Sequence, residues 1–217
     1  MGRKPIGKVA MSPRESQRRY RDKLRADRER FIEQINLSGL APRNREKTVG
    51  PFAIVVADPP WKYRQGTTTP DRTIEYQYET AFISEIVSHR PNTAPNAILF
   101  LWATAPLLPE ALEVMVGWGF TYKTCAVWDK QKIALGYWFR IQHELLLVGI
   151  KGKVNPPAAS HRIASVFREK RGGHSVKPEA VYEWIEQAFP NQTKLDMYAR
   201  RQRFGWASWG NEVPGLQ

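Results

Sequence analysis

Apolar residues along this 217-residue chain gather in short runs, and the shape of each run predicts an element. Phe52-Ala53-Ile54-Val55-Val56-Ala57 is β-branched and almost wholly apolar, the pattern of a strand buried on both faces of a sheet. Asn96 to Thr104 reads as a second such strand, and Tyr122 to Trp128 and Glu144 to Ile150 as two more strands. Leu107 to Trp118 reads as a helix closed by Gly119, and Pro178 to Ala188 as a helix with proline in its first turn. Val181, Trp184 and Ile185 line one side of that second helix, and Lys194 to Ala199 and Trp206 to Trp209 are short final strands. Buried strands alternating with helices predict an α/β domain with a mainly parallel sheet. Two intervals, Lys62 to Tyr76 and Gly152 to His174, lack such a pattern. Structureless stretches beyond about 12–15 residues in a compact domain are usually functional or disordered.

Charge divides the chain differently. Lysine and arginine number 33 against 21 acids, a formal +12. Residues 1–50 hold +8 of that total, so they read as a basic extension and linker ahead of one domain over 51–217. Ser12, Pro13 and Glu15 form a helix-start signal. Tyr20, Leu24, Phe31 and Ile35 then make a sparse apolar stripe among arginines. Arg18, Arg19, Arg21 and Arg25 are candidate phosphate contacts, because a domain this basic usually meets a polyanion. The interval after Gly152 carries Lys153, Arg162, Arg168, Lys170 and Arg171 and reads as a basic lip, with the last four as further candidate contacts. A single cysteine, Cys125, excludes an internal disulfide and a cysteine-clustered zinc site, and four scattered histidines argue against a metal centre. No apolar run approaches the ~20 residues of a membrane span. The expectation is a soluble, cytoplasmic protein without metal or membrane partner.

Asp58-Pro59-Pro60-Trp61 directly follows the first strand, where open α/β sheets bind ligands. Two prolines stiffen the turn and remove two N–H donors, so it offers a carboxylate and backbone carbonyls beside an indole. That suits a flat substrate that donates N–H bonds, such as the exocyclic amine of a nucleobase. Acceptance of both amine hydrogens, by Asp58 and the Pro59 carbonyl, would localise the nitrogen lone pair, with Asp58 as orienting acceptor and proton relay. Trp61 would stack on the extruded base. Asn155-Pro156-Pro157-Ala158 is chemically similar but has no aromatic neighbour, and reads as a turn.

With Tyr78-x-Thr80, Phe100 to Trp102, His143 to Gly152, His174 to Pro178 and the terminal LDMYAR…GWASWGNE, this stretch resembles the DPPW family. That family is named for the S-adenosylmethionine-binding subunit of mRNA adenosine-N6 methyltransferase, and the resemblance spans residues 52–213. It implies a Rossmann-like methyltransferase fold of permuted motif order. It carries over Asp58, Pro59, Pro60 and Trp61 as the target-amine site and Tyr78 as a wall of the acceptor pocket. Lys177, matched with Ser175 in S-x-K-P, would pair with the carboxylate of S-adenosylmethionine. Arg200 and Asn211, with Glu212 beside it, would hold the ribose hydroxyls. His143 and His174 read as structural, and Cys125 as core. The usual glycine-rich nucleotide fingerprint is missing. These features together predict methylation of adenine N6 in nucleic acid, with DNA preferred over RNA. Cytosine N4 is an alternative target, and a non-catalytic nucleic-acid-binding subunit is the rival of another class.

Overall fold

A computed structural model describes residues 15, 18, 19, 22, 50–62, 81–136, 138–170 and 176–210. The chain divides into two units, Met1–Gly39 and Leu40–Gln217. In the first, the described residues Glu15, Arg18, Arg19 and Asp22 are helical and exposed, and Arg18 Nε lies 4.0 Å from Asp22 Oδ2 one turn on. Arg21, Arg25 and the linker before Gly50 lie outside the described residues.

The second unit is built on a seven-stranded sheet. Its strands are β1 (Phe52–Ala57), β2 (Thr93–Ala103), β3 (Thr121–Asp129), β4 (His143–Lys151), β5 (Val166–Arg168), β6 (Lys194–Met197) and β7 (Ala207–Trp209). Their order is β5-β3-β4-β2-β1-β6-β7. β1 runs parallel to β2 and β6, β6 to β7, and β3 to β5, whereas β4 is antiparallel to both its neighbours. Every strand except β4 therefore ends at one edge, here called the carboxyl edge. The arrangement is mostly parallel, as the runs of apolar residues predict, and Rossmann-like, as the resemblance implies.

Among the described residues, three helices flank the sheet: α1 (Ile83–Ser88), α2 (Leu108–Gly117) and α3 (Glu179–Ala188). Ile54 and Val56 of β1, Ile98, Phe100 and Trp102 of β2 and Leu146 of β4 pack against Val181, Tyr182 and Ile185 of α3. Residues of opposite parity face α2: a β-carbon at Gly149 would meet Met115 Sδ at 2.8 Å. Trp118 ties α2 to α1 by donating its indole N–H to the Ile86 carbonyl at 3.0 Å. Trp102, Trp118, Phe100 and Phe120 are fully buried, each worth roughly 1.5–3 kcal/mol or more by area removed from water. Gly119, at φ 86°, ends α2 in the left-handed conformation that a side chain disfavours.

Two sequence expectations change. The interval after Gly152 is not structureless: it holds a 3₁₀ turn at Ala159–His161 and the edge strand β5. At three residues, β5 is too short to show an alternation. Nor do its cations form one lip. Arg162 donates to the Pro157 carbonyl at 3.3 Å, in the loop that leaves β4 at the opposite edge. Arg168 and Lys170 instead emerge at the carboxyl edge, where Arg168 Nε lies 3.4 Å from Asp129 Oδ2. Arg171 lies outside the described residues. Among those described, no helix is long and apolar enough to cross a membrane.

Candidate active site at the carboxyl edge

From β1 the chain passes towards β2, and from β6 towards β7 on the other side. The carboxyl ends of β1 and β6 therefore flank a topological switch point, where the two following segments diverge and leave a crevice. Asp58 stands at the end of β1, and Arg200 follows β6 by three residues. Between them, Tyr198 turns the chain at φ 60°, a backbone state that costs a non-glycine residue of order 1–3 kcal/mol. Its hydroxyl is 2.9 Å from His89 Nδ1, and its ring meets Trp209 edge-on at 4.9 Å between centroids.

The turn after β1 is tied down by its own backbone. Trp61 N–H donates to the Pro59 carbonyl at 2.9 Å, and Ala81 N–H to the Pro60 carbonyl at 2.9 Å. A carbonyl oxygen has two lone pairs, and among the described backbone donors only Trp61 N–H uses one of the Pro59 oxygen's. Trp61 is buried, at 8% exposure, and its indole N–H bonds the Trp102 carbonyl at 3.0 Å. This corrects the stacking expectation. A platform for an extruded base needs an open ring face, whereas this indole is clamped over the end of β2 as part of the wall.

A charged cluster lies beneath the turn. Lys177 Nζ sits 2.8 Å from Asp58 Oδ2 and 3.0 Å from Glu144 Oε2, and Lys130 Nζ reaches Glu144 Oε1 at 3.1 Å. The Lys177 ammonium also stands 5.5 Å from the centre of the Trp102 ring. Glu144 joins because β4 runs backwards: its second residue lies level with the last turn of β3, opposite Trp128, at the carboxyl edge. Two cations balance two anions. Asp58 remains 26% exposed, against 11% for Lys177 and 15% for Glu144, so it is the member that faces a ligand.

Burial pushes the Asp58 carboxyl up, against the pull of the Lys177 ammonium. Glu144 moves the other way: burial opposes its charge, but Lys177 and Lys130 hold it below the usual carboxylate range. Burial alone would lower Lys177, yet its two carboxylates keep it above the ordinary amine value. Among the described residues, two of the three ammonium donors are engaged, and the third remains for an anionic group in the crevice. The set thus presents acceptors for a cationic or N–H-bearing ligand beside a donor for a carboxylate.

One strand over, Asp196 of β6 lies opposite Val56 and is buried. Burial, reinforced by the Asp58 charge, raises its carboxyl to about 7 against the pull of Arg203. The Tyr182 hydroxyl donates to it at 3.4 Å, and the Arg203 guanidinium lies 4.3 Å over the Tyr182 ring. Arg203 and Arg201 both pair with Glu179 at the start of α3, two residues beyond Lys177.

The structure therefore brings Asp58, Pro59, Pro60, Trp61 and Lys177 together, with Arg200 near enough to draw the Asp58 carboxyl down. Tyr78, Ser175, Asn211 and Glu212 lie outside the described residues. Sequence reasoning missed Glu144, Lys130 and Asp196. The signal for Glu144 was a carboxylate opening an otherwise apolar strand, and for Asp196 the same anomaly within Leu195-Asp196-Met197. Lys177 also differs from expectation: its ammonium is already paired with the protein's own carboxylates. His143 opens β4 and Cys125 is half-buried in β3 without a disulfide. No group of three metal-ligating side chains occurs among the described residues.

The MT-A70 family model matches residues 52–212. The type II methyltransferase M.MunI of a Mycoplasma species is 34% identical over 182 residues, 75% of this chain and 78% of that protein. An N(6)-adenosine-methyltransferase MT-A70-like protein of Arabidopsis thaliana is 30% identical over 80% of this chain but 25% of its own length. The human N(6)-adenosine-methyltransferase catalytic subunit METTL3 is 28% identical over 77% of this chain and 29% of its own length. The chain thus spans most of the first relative and about a quarter of the other two.

Proposed function

The chain belongs to the MT-A70 family and is an adenine-N6 methyltransferase, and from that premise we propose that it methylates the exocyclic amine of adenine in DNA with S-adenosylmethionine, by direct in-line transfer. The observation that carries the reading is the Asp58–Lys177–Glu144 cluster at the switch point, beneath a turn that offers acceptors. When bound, S-adenosylmethionine supplies an electrophilic methyl carbon on a sulfonium. Lys177 would take its carboxylate with the remaining ammonium donor. Arg200, with Asn211 and Glu212, would hold the ribose hydroxyls, and Ser175 would support the turn that presents Lys177.

Asp58 and the second lone pair of the Pro59 carbonyl would each accept one N–H of the target amine. This favours a pyramidal nitrogen whose lone pair points away from both acceptors. The amine must shed one proton as it gains the methyl group. Asp58, its carboxyl raised by burial, is the adjacent group able to receive it. Lys177 and Glu144 keep Asp58 fixed during the step, so the protein contributes position more than basicity. Tyr78 would line the acceptor pocket.

DNA is favoured because the type II methyltransferase M.MunI is 34% identical to this chain, against 30% and 28% for the two adenosine methyltransferases. Arg18, Arg19, Arg168 and Lys170, exposed and cationic, would meet phosphates, with Arg21, Arg25 and Arg171 as further contacts; Arg162, at the opposite edge of the sheet, would not share the contact made at the crevice. Such an enzyme would work in the cytoplasm, where its DNA is.

The test is mass spectrometry of nucleosides from methylation-free DNA and RNA, each incubated with the protein and S-adenosylmethionine. N6-methyladenine in DNA is the expected product. N6-methyladenosine in RNA alone would overturn the substrate, and N4-methylcytosine would overturn the base.

A further inference from the structure

β3 and β4 do not stop at Asp129 and His143. Lys130 N–H bonds the Gln142 carbonyl at 2.9 Å, and Ala134 N–H bonds the Ile141 carbonyl at 2.8 Å. Gln131 N–H donates to Asp129 Oδ1 at 2.9 Å, and Arg140 Nε–H reaches across to the Ala134 carbonyl at 2.8 Å. A β-carbon on Gly136 would run into the Phe139 carbonyl, so only glycine permits this approach. The described residues of segment 130–142 thus form a cross-braced arm that continues the hairpin beyond the sheet. Its two roots are Lys130 and, one residue into β4, Glu144, both members of the charged cluster around Asp58.

The arm carries an unusual outer surface. Trp138 is 93% exposed and Phe139 84%, with Leu135 and Ile133 also open to solvent. An arm held by hydrogen bonds yet displaying two large aromatic faces has a surface that lacks its partner. Segment 130–142 also contains Lys130, Lys132 and Arg140 and no acidic residue, and Arg168 and Lys170 emerge beside its root from β5. A second copy of a chain with a formal +12 would bring like charge against like. The partner that complements both properties is a polyanion with flat apolar faces, which is a nucleic acid.

We infer that Trp138 and Phe139 are the base-stacking tip of a nucleic-acid-facing arm, which occupies the gap left when the target adenine leaves the duplex. The inference rests on the methyltransferase reading of the neighbouring site. Trp138 and Phe139 are positioning residues. They act on the helix around the target and leave cofactor binding to the crevice.

The test compares the wild type with Trp138→Ala combined with Phe139→Ala, and with Trp138→Phe and Trp138→Leu singly. Methyl transfer is measured on unmethylated plasmid DNA as duplex and as heat-separated strands. Calorimetry with S-adenosylhomocysteine checks that the crevice is intact. Loss of aromatic stacking should cut transfer to duplex about tenfold or more, cut transfer to separated strands far less, and leave S-adenosylhomocysteine affinity unchanged. Phe at 138 should preserve duplex activity and Leu should not. Equal activity with Leu and Phe, equal losses on duplex and strands, or no loss at all would overturn the inference. So would a change in oligomeric state by light scattering with nucleic-acid affinity unchanged, because the arm would then be a protein interface. Should the wild type transfer no methyl group, duplex affinity by fluorescence anisotropy separates the two failures. An affinity lowered about tenfold in the double alanine variant and kept by Phe sustains the arm while the methyltransferase reading falls; unchanged affinity overturns the arm.

Discussion

Two proline-proline turns in this chain look almost alike on paper and differ in every physical respect in the fold. Asp58-Pro59-Pro60 leaves β1 at the carboxyl edge, whereas Asn155-Pro156-Pro157 leaves β4, the strand that runs backwards, at the opposite edge. The first is pinned by two backbone hydrogen bonds, and its carboxylate meets the largely shielded Lys177 ammonium. The second is largely exposed and lines an open cavity of about 300 Å³ with Ala53, Ile54 and Asn96, at the starts of β1 and β2. Chemistry follows from strand direction and the company each turn keeps, rather than from the tripeptide. An acid at the switch point is paired, shielded and facing a crevice, while an amide at the other edge is solvated.

The largest break in that comparison comes from Asp58. Asp58→Asn keeps the shape of the turn but turns one acceptor into a donor, and methyl transfer should fall about 10²–10⁴-fold. Single-turnover assays with a fixed cofactor concentration would check it. Next comes Lys177→Gln, which leaves the half-buried Asp58 and Glu144 carboxylates without their shared cation. Removing one partner of a buried pair typically costs about 3–5 kcal/mol, so the urea midpoint should drop, and S-adenosylhomocysteine should bind more weakly by calorimetry. Glu144→Gln should do less, because Lys177 retains Asp58 and the amide remains an acceptor for Lys130.

Asp196 sharpens the comparison through pH. Its folded-state carboxyl titrates near 7 against 3.8 for an ordinary aspartate, so between about pH 4 and 7 the folded chain holds a proton that the unfolded chain has released. Stability from this group therefore falls as pH rises through that window. Asp196→Asn should flatten the fall, with a higher Tm than wild type at pH 8 and no advantage at pH 4, read by thermal denaturation at both. The smallest effect belongs to the other turn. Asn155→Ala should leave transfer unchanged and shift stability by no more than about 0.5 kcal/mol; a large loss of transfer there would erase the distinction between the two edges.

Strands β1, β2 and β4 were legible as apolar runs and the two longer helices as amphipathic stretches, whereas β3, exposed over its first four residues, showed only in its apolar second half. Six-residue α1 and three-residue β5 were not legible, since neither is long enough to show a period. Asp58 was legible from its place after a buried strand, and Lys177 from the resemblance. Their mutual contact was not, because 119 positions separate them in the chain. Glu144 needed the direction of β4, which hydrophobic patterning does not encode: the same run read as a parallel strand would put it at the wrong edge. The reading of Trp61 as a stacking platform failed for a related reason. An indole beside a turn looks available in one dimension, and only the Trp102 carbonyl shows where its N–H is bound.

In the proposed reaction Asp58 serves the target amine while Lys177 serves the cofactor. Its most direct test measures both properties in one preparation of Asp58→Ala, by calorimetric titration with S-adenosylhomocysteine and by single-turnover methyl transfer to DNA. Near-wild-type affinity with transfer abolished is the expected result. Transfer that survives, or affinity lost together with transfer in a folded protein, would contradict it.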